Sequence, residues 1–133
     1  MTNTLYLTVD DVWAINGLLL RVEGQSTLLL NRGALESALL RAQNVAHYQR
    51  ADIVEQAAFL VAGIAFARAF LDGNKRTAAV SGSAFLDRNG FHITAVGDEF
   101  GRQIEAMVRH AGSQDDATQQ FLEWLRTATE PSP

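Results

Sequence analysis

The sequence contains no cysteine, which excludes a disulfide framework and any thiolate metal site. Positive charge is also scarce, with 11 Lys and Arg against 15 Asp and Glu and a net charge of −4. Neutralising a phosphate backbone takes a clustered excess of Lys and Arg, so a sequence-independent nucleic-acid binder is excluded and a protein or small-molecule partner is expected. Only one lysine is present, Lys75. Long apolar runs are missing too: the most apolar stretch, residues 57–67, falls short of the about 20 residues that cross a bilayer. The first residues, Met1-Thr2-Asn3-Thr4-Leu5, do not carry the basic-then-apolar pattern of a secretory signal. The expectation is a soluble, cytoplasmic protein without membrane or direct nucleic-acid contacts.

What is present is helical. At 133 residues and 47% hydrophobic, the chain can build one core, expected over residues 1–128 with a tail at 129–133. Thr8-Val9-Asp10-Asp11 supplies a capping hydroxyl and first-turn acids for a helix that carries Val12, Ile15, Leu18, Leu19 and Val22 and stops near Glu23-Gly24. A second helix is expected from about Gly33 to Ala42, with Leu35, Leu39 and Leu40 on one face. Leu28-Leu29-Leu30 is apolar but too short to assign. Asp52-Ile53-Val54-Glu55 has capping-box spacing and opens a helix that is apolar almost all round, which suits the centre of a domain.

After a break at Asp72-Gly73-Asn74, a helix runs to about Arg88 and ends at Asn89-Gly90. Its Ala78, Ala79, Ser81, Gly82 and Ser83 are small enough to let a neighbouring backbone approach. Residues 91–95 are β-branched, short and compatible with an extended segment. Two further helices begin at Gly97-Asp98-Glu99 and at Ser113-Gln114-Asp115-Asp116. About six helices without internal repeats predict an all-α fold, an orthogonal helical bundle.

The chemistry concentrates at Phe70-Leu71-Asp72-Gly73-Asn74-Lys75-Arg76-Thr77. A glycine-containing turn there opens directly into a helix N-terminus, where free N–H groups and the positive dipole end make an anion site. Gly73 permits the backbone angles of such a nest. Asn74 offers an amide donor, Lys75 a point charge and Arg76 a bidentate fork for phosphate oxygens. Asp72 is a hard ligand that could hold Mg²⁺ against them. The alternative reading is an ordinary helix–turn–helix with a solvated charged cap.

Asp72-Gly73-Asn74-Lys75-Arg76-Thr77-Ala78 resembles the signature of Fic domains, His-x-Phe-x-Asp/Glu-Gly-Asn-Gly/Lys-Arg, in the lysine-containing version of the death-on-curing (Doc) toxins. The resemblance extends to Tyr6-Leu7-Thr8, Gly33 to Leu39, the apolar helix before the motif and Phe85 to Gly90 after it. It implies an all-helical Fic-like domain in which Gly73, Asn74 and Lys75 cradle the phosphates of ATP. Asp72 would bind Mg²⁺, Arg76 would grip phosphate, and a flap at residues 44–50 would hold the target. The implied activity is transfer of phosphate to a hydroxyl of a translation factor, elongation factor Tu, under the control of a Phd-like antitoxin. Transfer of AMP is the alternative within the superfamily.

The sequence departs from that signature where it matters most. The catalytic histidine belongs at position 68 and the usual proline at 69, and here they are Arg68 and Ala69. Arginine cannot accept a proton at physiological pH, and general-base catalysis is worth on the order of 10² to 10⁴ in rate. The chain is therefore expected to be an inactivated copy, a non-catalytic nucleotide- or antitoxin-binding pseudoenzyme, or an enzyme with a different base.

The remaining polar residues have plainer readings. His47, beside Tyr48 in the expected flap, is a target contact, a stand-in base or simply a loop histidine. His92 and His110 have no partner at metal-ligand spacing, so no histidine-bound metal is expected. Asp10-Asp11 and Asp115-Asp116 read as helix starts, Trp13 and Trp124 as core or interface residues, and Ser81 and Ser83 as packing residues.

Overall fold

A computed structural model describes residues 3–133 and contains six helices and two short strands. In chain order these are α1 (Val9–Val22), α2 (Arg32–Gln49), α3 (Ile53–Ala67), α4 (Asn74–Arg88), β1 (Phe91–Ile93), α5 (Glu99–Arg109), α6 (Gln114–Thr127) and β2 (Thr129–Pro131). The all-α expectation holds, with a small antiparallel strand pair added.

Composition puts α3 in the middle. A helix apolar on every side can be satisfied only by neighbours on every side, and α3 packs against α2, α4, α5 and α6 while α1 lies across α4. Its Ala57, Ala58, Val61, Ile64 and Ala65 are fully or almost fully buried. Small residues set the spacing on two of its faces. A Cβ on Gly63 would stand 3.3 Å from Ala38 of α2, and one on Gly82 of α4 would stand 2.5 Å from Val61 Cγ2.

The capping residues act as their types suggest. Thr8, Asn31, Asp52 and Ser113 each accept a hydrogen bond from a first-turn N–H of the helix that follows. Thr8 and Asp11 complete a reciprocal capping box. Trp124, Phe100 and Phe121 form an aromatic cluster, with Trp124 Nε1 donating to Glu99 at 3.0 Å. Trp13 is instead partly exposed under the Arg32 guanidinium, 6.0 Å from its ring centre.

Two segments differ from expectation. Helix α2 continues past Ala42 to Gln49, because Ala42 and Ala46 bury against the core and nothing breaks the helix before Arg50 takes up a left-handed conformation (φ 52). Leu40 lies on its exposed side, not with Leu35 and Leu39. The residues expected as a tail form β2, whose Thr129, Glu130 and Pro131 pair with Ile93, His92 and Phe91.

Two predictions test this packing. Gly82→Ala gains about 1 kcal/mol of helix propensity, but its methyl meets a fully buried, rotamerically stiff valine, and overpacking costs about 1–3 kcal/mol. Net destabilisation in urea unfolding is the expected result. At the α1 N-terminus, the Thr8 backbone N–H donates to Asp11 Oδ2 at 2.9 Å, and this bond leads the causes that hold the Asp11 carboxyl below its usual range, against some burial. A lowered folded pKa stabilises above the unfolded value, and that stabilisation is lost as pH falls through the folded one. Asp11→Asn should therefore lower the melting temperature modestly at neutral pH and leave it unchanged in strong acid.

Candidate functional site

The connection from α3 to α4 is short and fully organised. Arg68 ends α3 in the left-handed region (φ 48, ψ 44) with its side chain exposed. Ala69 and Phe70 turn inward and are buried at 1% and 2% exposure, which anchors the loop in the core. The Ala69 carbonyl accepts from the N–H groups of Leu30 and Asn31 at 2.8 and 3.1 Å, and Leu71 N–H donates to the Leu28 carbonyl at 3.0 Å. These bonds flank an antiparallel bridge between Leu29 and Phe70. The leucine triplet left unassigned in the sequence is thus the wall on which the motif loop rests.

From below, the loop is held by Asn16. This residue is completely buried in α1, and its Nδ2 donates to the Asp72 carbonyl at 2.9 Å and to Thr77 Oγ1 at 3.0 Å. Its Oδ1 accepts from Thr27 Oγ1 at 2.5 Å. From within, the Asn74 amide brackets Phe70, accepting from its N–H at 3.0 Å and donating to its carbonyl at 2.9 Å. Asn74 shapes the turn that the expected phosphate contact would need.

Gly73 is the N-cap of α4, with φ 78. A Cβ there would lie 3.2 Å from Asn16 Nδ2 and 3.3 Å from Leu20 Cδ2, so both conformation and space favour glycine. It provides no side-chain cap. The first-turn N–H groups of Asn74, Lys75 and Arg76 therefore have no helical or side-chain acceptor and point out of the positive end of α4. Asp72 sits at the rim, its Oδ1 accepting from Gly73 N–H at 2.7 Å.

The two cations lean outward. Lys75 Nζ meets Glu105 of α5 at 2.5 Å, and Arg76 forks onto Glu23 at the end of α1. The hydrogen bond from Lys75 is the leading cause that holds the Glu105 carboxyl below its ordinary range; burial opposes it, and Arg109 assists. Asp72, Gly73, Asn74, Lys75 and Arg76 are thus gathered at one helix end. Arg68 stands at the opposite end of the loop and lines a separate hollow of about 350 Å³ with Phe66, Met107, His110 and Gln114.

The expected flap is not where the sequence reading put it. Residues 44–49 are the last turns of α2, with His47 and Tyr48 edge to face at 5.8 Å on its surface. The extended segment beside the motif is residues 28–31. Asn16 was also missed, although a lone amide between Val12 and Leu20 at i, i+4 spacing is a readable signal. Thr27, Glu23 and Glu105 reach the loop only through tertiary structure and carry no local signal.

An Mg²⁺ ion bound through phosphates takes one or two protein carboxylates and keeps water. Asp72 fits that mode, with one carboxylate oxygen bonded to Gly73 and the other without a partner among the described residues. No group of three or more potential ligands occurs among the described residues, so a cage made of protein alone is not on offer.

The described residues thus form an all-α domain in which an uncapped helix start, open to an anion, follows closely on the central helix. The chain belongs to the Fic/DOC family, whose model matches residues 6–86, from before α1 through most of α4. That family comprises transferases using nucleoside triphosphates, typically with Mg²⁺. None of the curated proteins compared matches the chain. No helix among the described residues is long and apolar enough to cross a membrane.

Asn16→Ala leaves the Thr77 hydroxyl, the Thr27 hydroxyl and the Asp72 carbonyl without their partner. A buried polar group left unsatisfied costs about 1–3 kcal/mol, so a loss in that range is expected by chemical denaturation. Faster amide exchange at residues 70–74 should accompany it.

Proposed function

We propose that this chain is a death-on-curing-type toxin domain whose loop at residues 72–76 holds the phosphates of ATP with Mg²⁺, and that Arg68 leaves it unable to complete transfer. The reading rests on one observation, the open first-turn N–H groups of α4 behind a left-handed Gly73, with Lys75 and Arg76 alongside. In the reaction proposed, a hydroxyl oxygen of a translation factor, elongation factor Tu, attacks the terminal phosphorus. The bond to the β-phosphate breaks, ADP leaves, and the hydroxyl proton must be taken up. Arg68 has only donors and cannot take it. An antitoxin of the Phd type is the proposed regulatory partner.

The acceptor would approach along residues 28–30. The Leu29 backbone makes no hydrogen bond among the described residues, because the bonds to Ala69 and Leu71 leave its N–H and carbonyl facing outward. Leu28, Leu30 and Leu71 stand 50%, 60% and 66% exposed around it. An open strand edge with apolar flanks suits pairing with an extended polypeptide.

Lysine at position 75 favours phosphate transfer by resemblance, and AMP transfer is the second reading. The test is Arg68→His. Histidine tolerates the left-handed conformation of position 68 better than most side chains, so the fold should not change. With a reference pKa of about 6.5, it can accept the proton. Label from γ-labelled ATP should pass to elongation factor Tu on the order of 10² to 10⁴ times faster in the variant than in the parent, with growth arrest on induced expression. Transfer of α-label would change the reaction to AMP addition. A folded variant that binds nucleotide and labels nothing would leave a binding module in place of an enzyme.

A further inference from the structure

Two ion pairs tie α1 to α4, one at each end. Asp11 in the first turn of α1 meets Arg88 in the last turn of α4 at 3.5 Å, and Glu23 at the end of α1 meets Arg76 in the first turn of α4. The two helices therefore run antiparallel along this side. Residues four apart share a helix face, so Asp11, Ile15, Leu19 and the C-cap Glu23 form one row, and Arg76, Val80, Ala84 and Arg88 form the facing row. With both ends of the rows joined, Ile15 and Leu19 lie alongside Val80 and Ala84. None of the eight residues is buried. Val80 is 41% exposed, and beside the α1 row Leu18 and Val22 stand 59% and 89% exposed.

An apolar strip between charged ends marks a contact with another protein, and the charge pattern says which. The α1 row ends in carboxylates and the α4 row in guanidinium groups, at equal spacing. Docking on an identical copy about a twofold axis requires a self-complementary surface. With the axis parallel to the helices, α1 of one copy lies over α4 of the other. Asp11 then comes opposite the partner's Arg88, Glu23 opposite the partner's Arg76, and the apolar residues meet in the middle. An axis at right angles to the helices would set Asp11 on the partner's Glu23 and Arg88 on the partner's Arg76, which repel. We infer that the α1–α4 face is a homodimer interface, occupied by a second copy of this chain turned about the parallel axis.

The two parts of the face have different tasks. Exposed ion pairs add little affinity, so the charged ends set the register and choose the axis. Affinity comes from Ile15, Leu19 and Val80, whose apolar surface leaves water when the copies meet. In the dimer each carboxylate sits between two arginines and each arginine between two carboxylates, and no charge at the interface is left over. Each α1 packs antiparallel to the partner's α4, so the contact is a bundle of four helices. The dimer stands whether or not the motif loop takes a triphosphate.

Sedimentation equilibrium of the parent chain, from micromolar to near-millimolar concentration, should follow a monomer–dimer equilibrium. Val80→Glu puts a carboxylate into the apolar strip and should weaken association on the order of tenfold or more, with an unchanged circular dichroism spectrum. Tyr48→Ser, at the 84% exposed tyrosine of α2, should associate like the parent. The chain has no cysteine, so single cysteines report the axis whatever Val80→Glu does to the fold. On mild oxidation a mixture of Ile15→Cys and Ala84→Cys should form a mixed disulfide faster than either variant alone. A mixture of Ile15→Cys with Leu19→Cys that crosslinks faster still would mean the perpendicular axis and overturn the arrangement. A parent that stays monomeric at every concentration, or equal loss of association in Tyr48→Ser and Val80→Glu, overturns the interface altogether.

Discussion

The buried amide of Asn16 is the interaction on which the site depends. A connection of six residues between two helices has carbonyls that need partners, and a helix opened by glycine has no side chain to fix its direction. One amide in α1 meets both needs by bonding the Asp72 carbonyl and the Thr77 hydroxyl, and Thr27 holds that amide in turn. The arrangement leaves the N–H groups of residues 74–76 free, because everything that fixes the loop binds it elsewhere. An anion site built this way is preorganised: its donors are aimed before any ligand arrives, and little ordering remains to oppose binding.

Against that intact scaffold, position 68 stands out as a change of chemistry without a change of architecture. Arg68 is exposed at a helix end, on the rim of the hollow it shares with Phe66 and Met107, so its side chain can be exchanged without disturbing Ala69 or Phe70, which are buried beside it. The side chain at position 68 and the open N–H groups of residues 74–76 are thus separable in this fold. A side-chain change at position 68 leaves the free N–H groups of residues 74–76 in place.

Much of the fold was legible in the sequence because it is local. Thr8, Asp52 and Ser113 start helices by bonding N–H groups three residues away, and α3 is central because its composition permits nothing else. The motif loop was legible for the same reason, being contiguous. What was not legible depends on distant contacts. Asn74 looked like a ligand donor, and its first task is to bracket Phe70. Helix α2 ran on through residues 44–49 because burial of Ala46, not propensity, decides where it stops. The pairing of residues 28–30 with 69–71 spans about forty residues of chain, and no local pattern encodes it.

That last pairing also bears on the order in which the molecule assembles. Helices α3 and α4 close on each other across a short connection and can form early, but the loop between them acquires its shape only when the α1–α2 connection docks. Closing the longer loop carries the larger entropy cost and is deferred. The shape of the motif loop consequently rests on a contact of long sequence separation, which is expected to form late and to open early. A cut between Gly24 and Leu28 would leave a helical bundle that still looks native by circular dichroism while its loop had lost its wall.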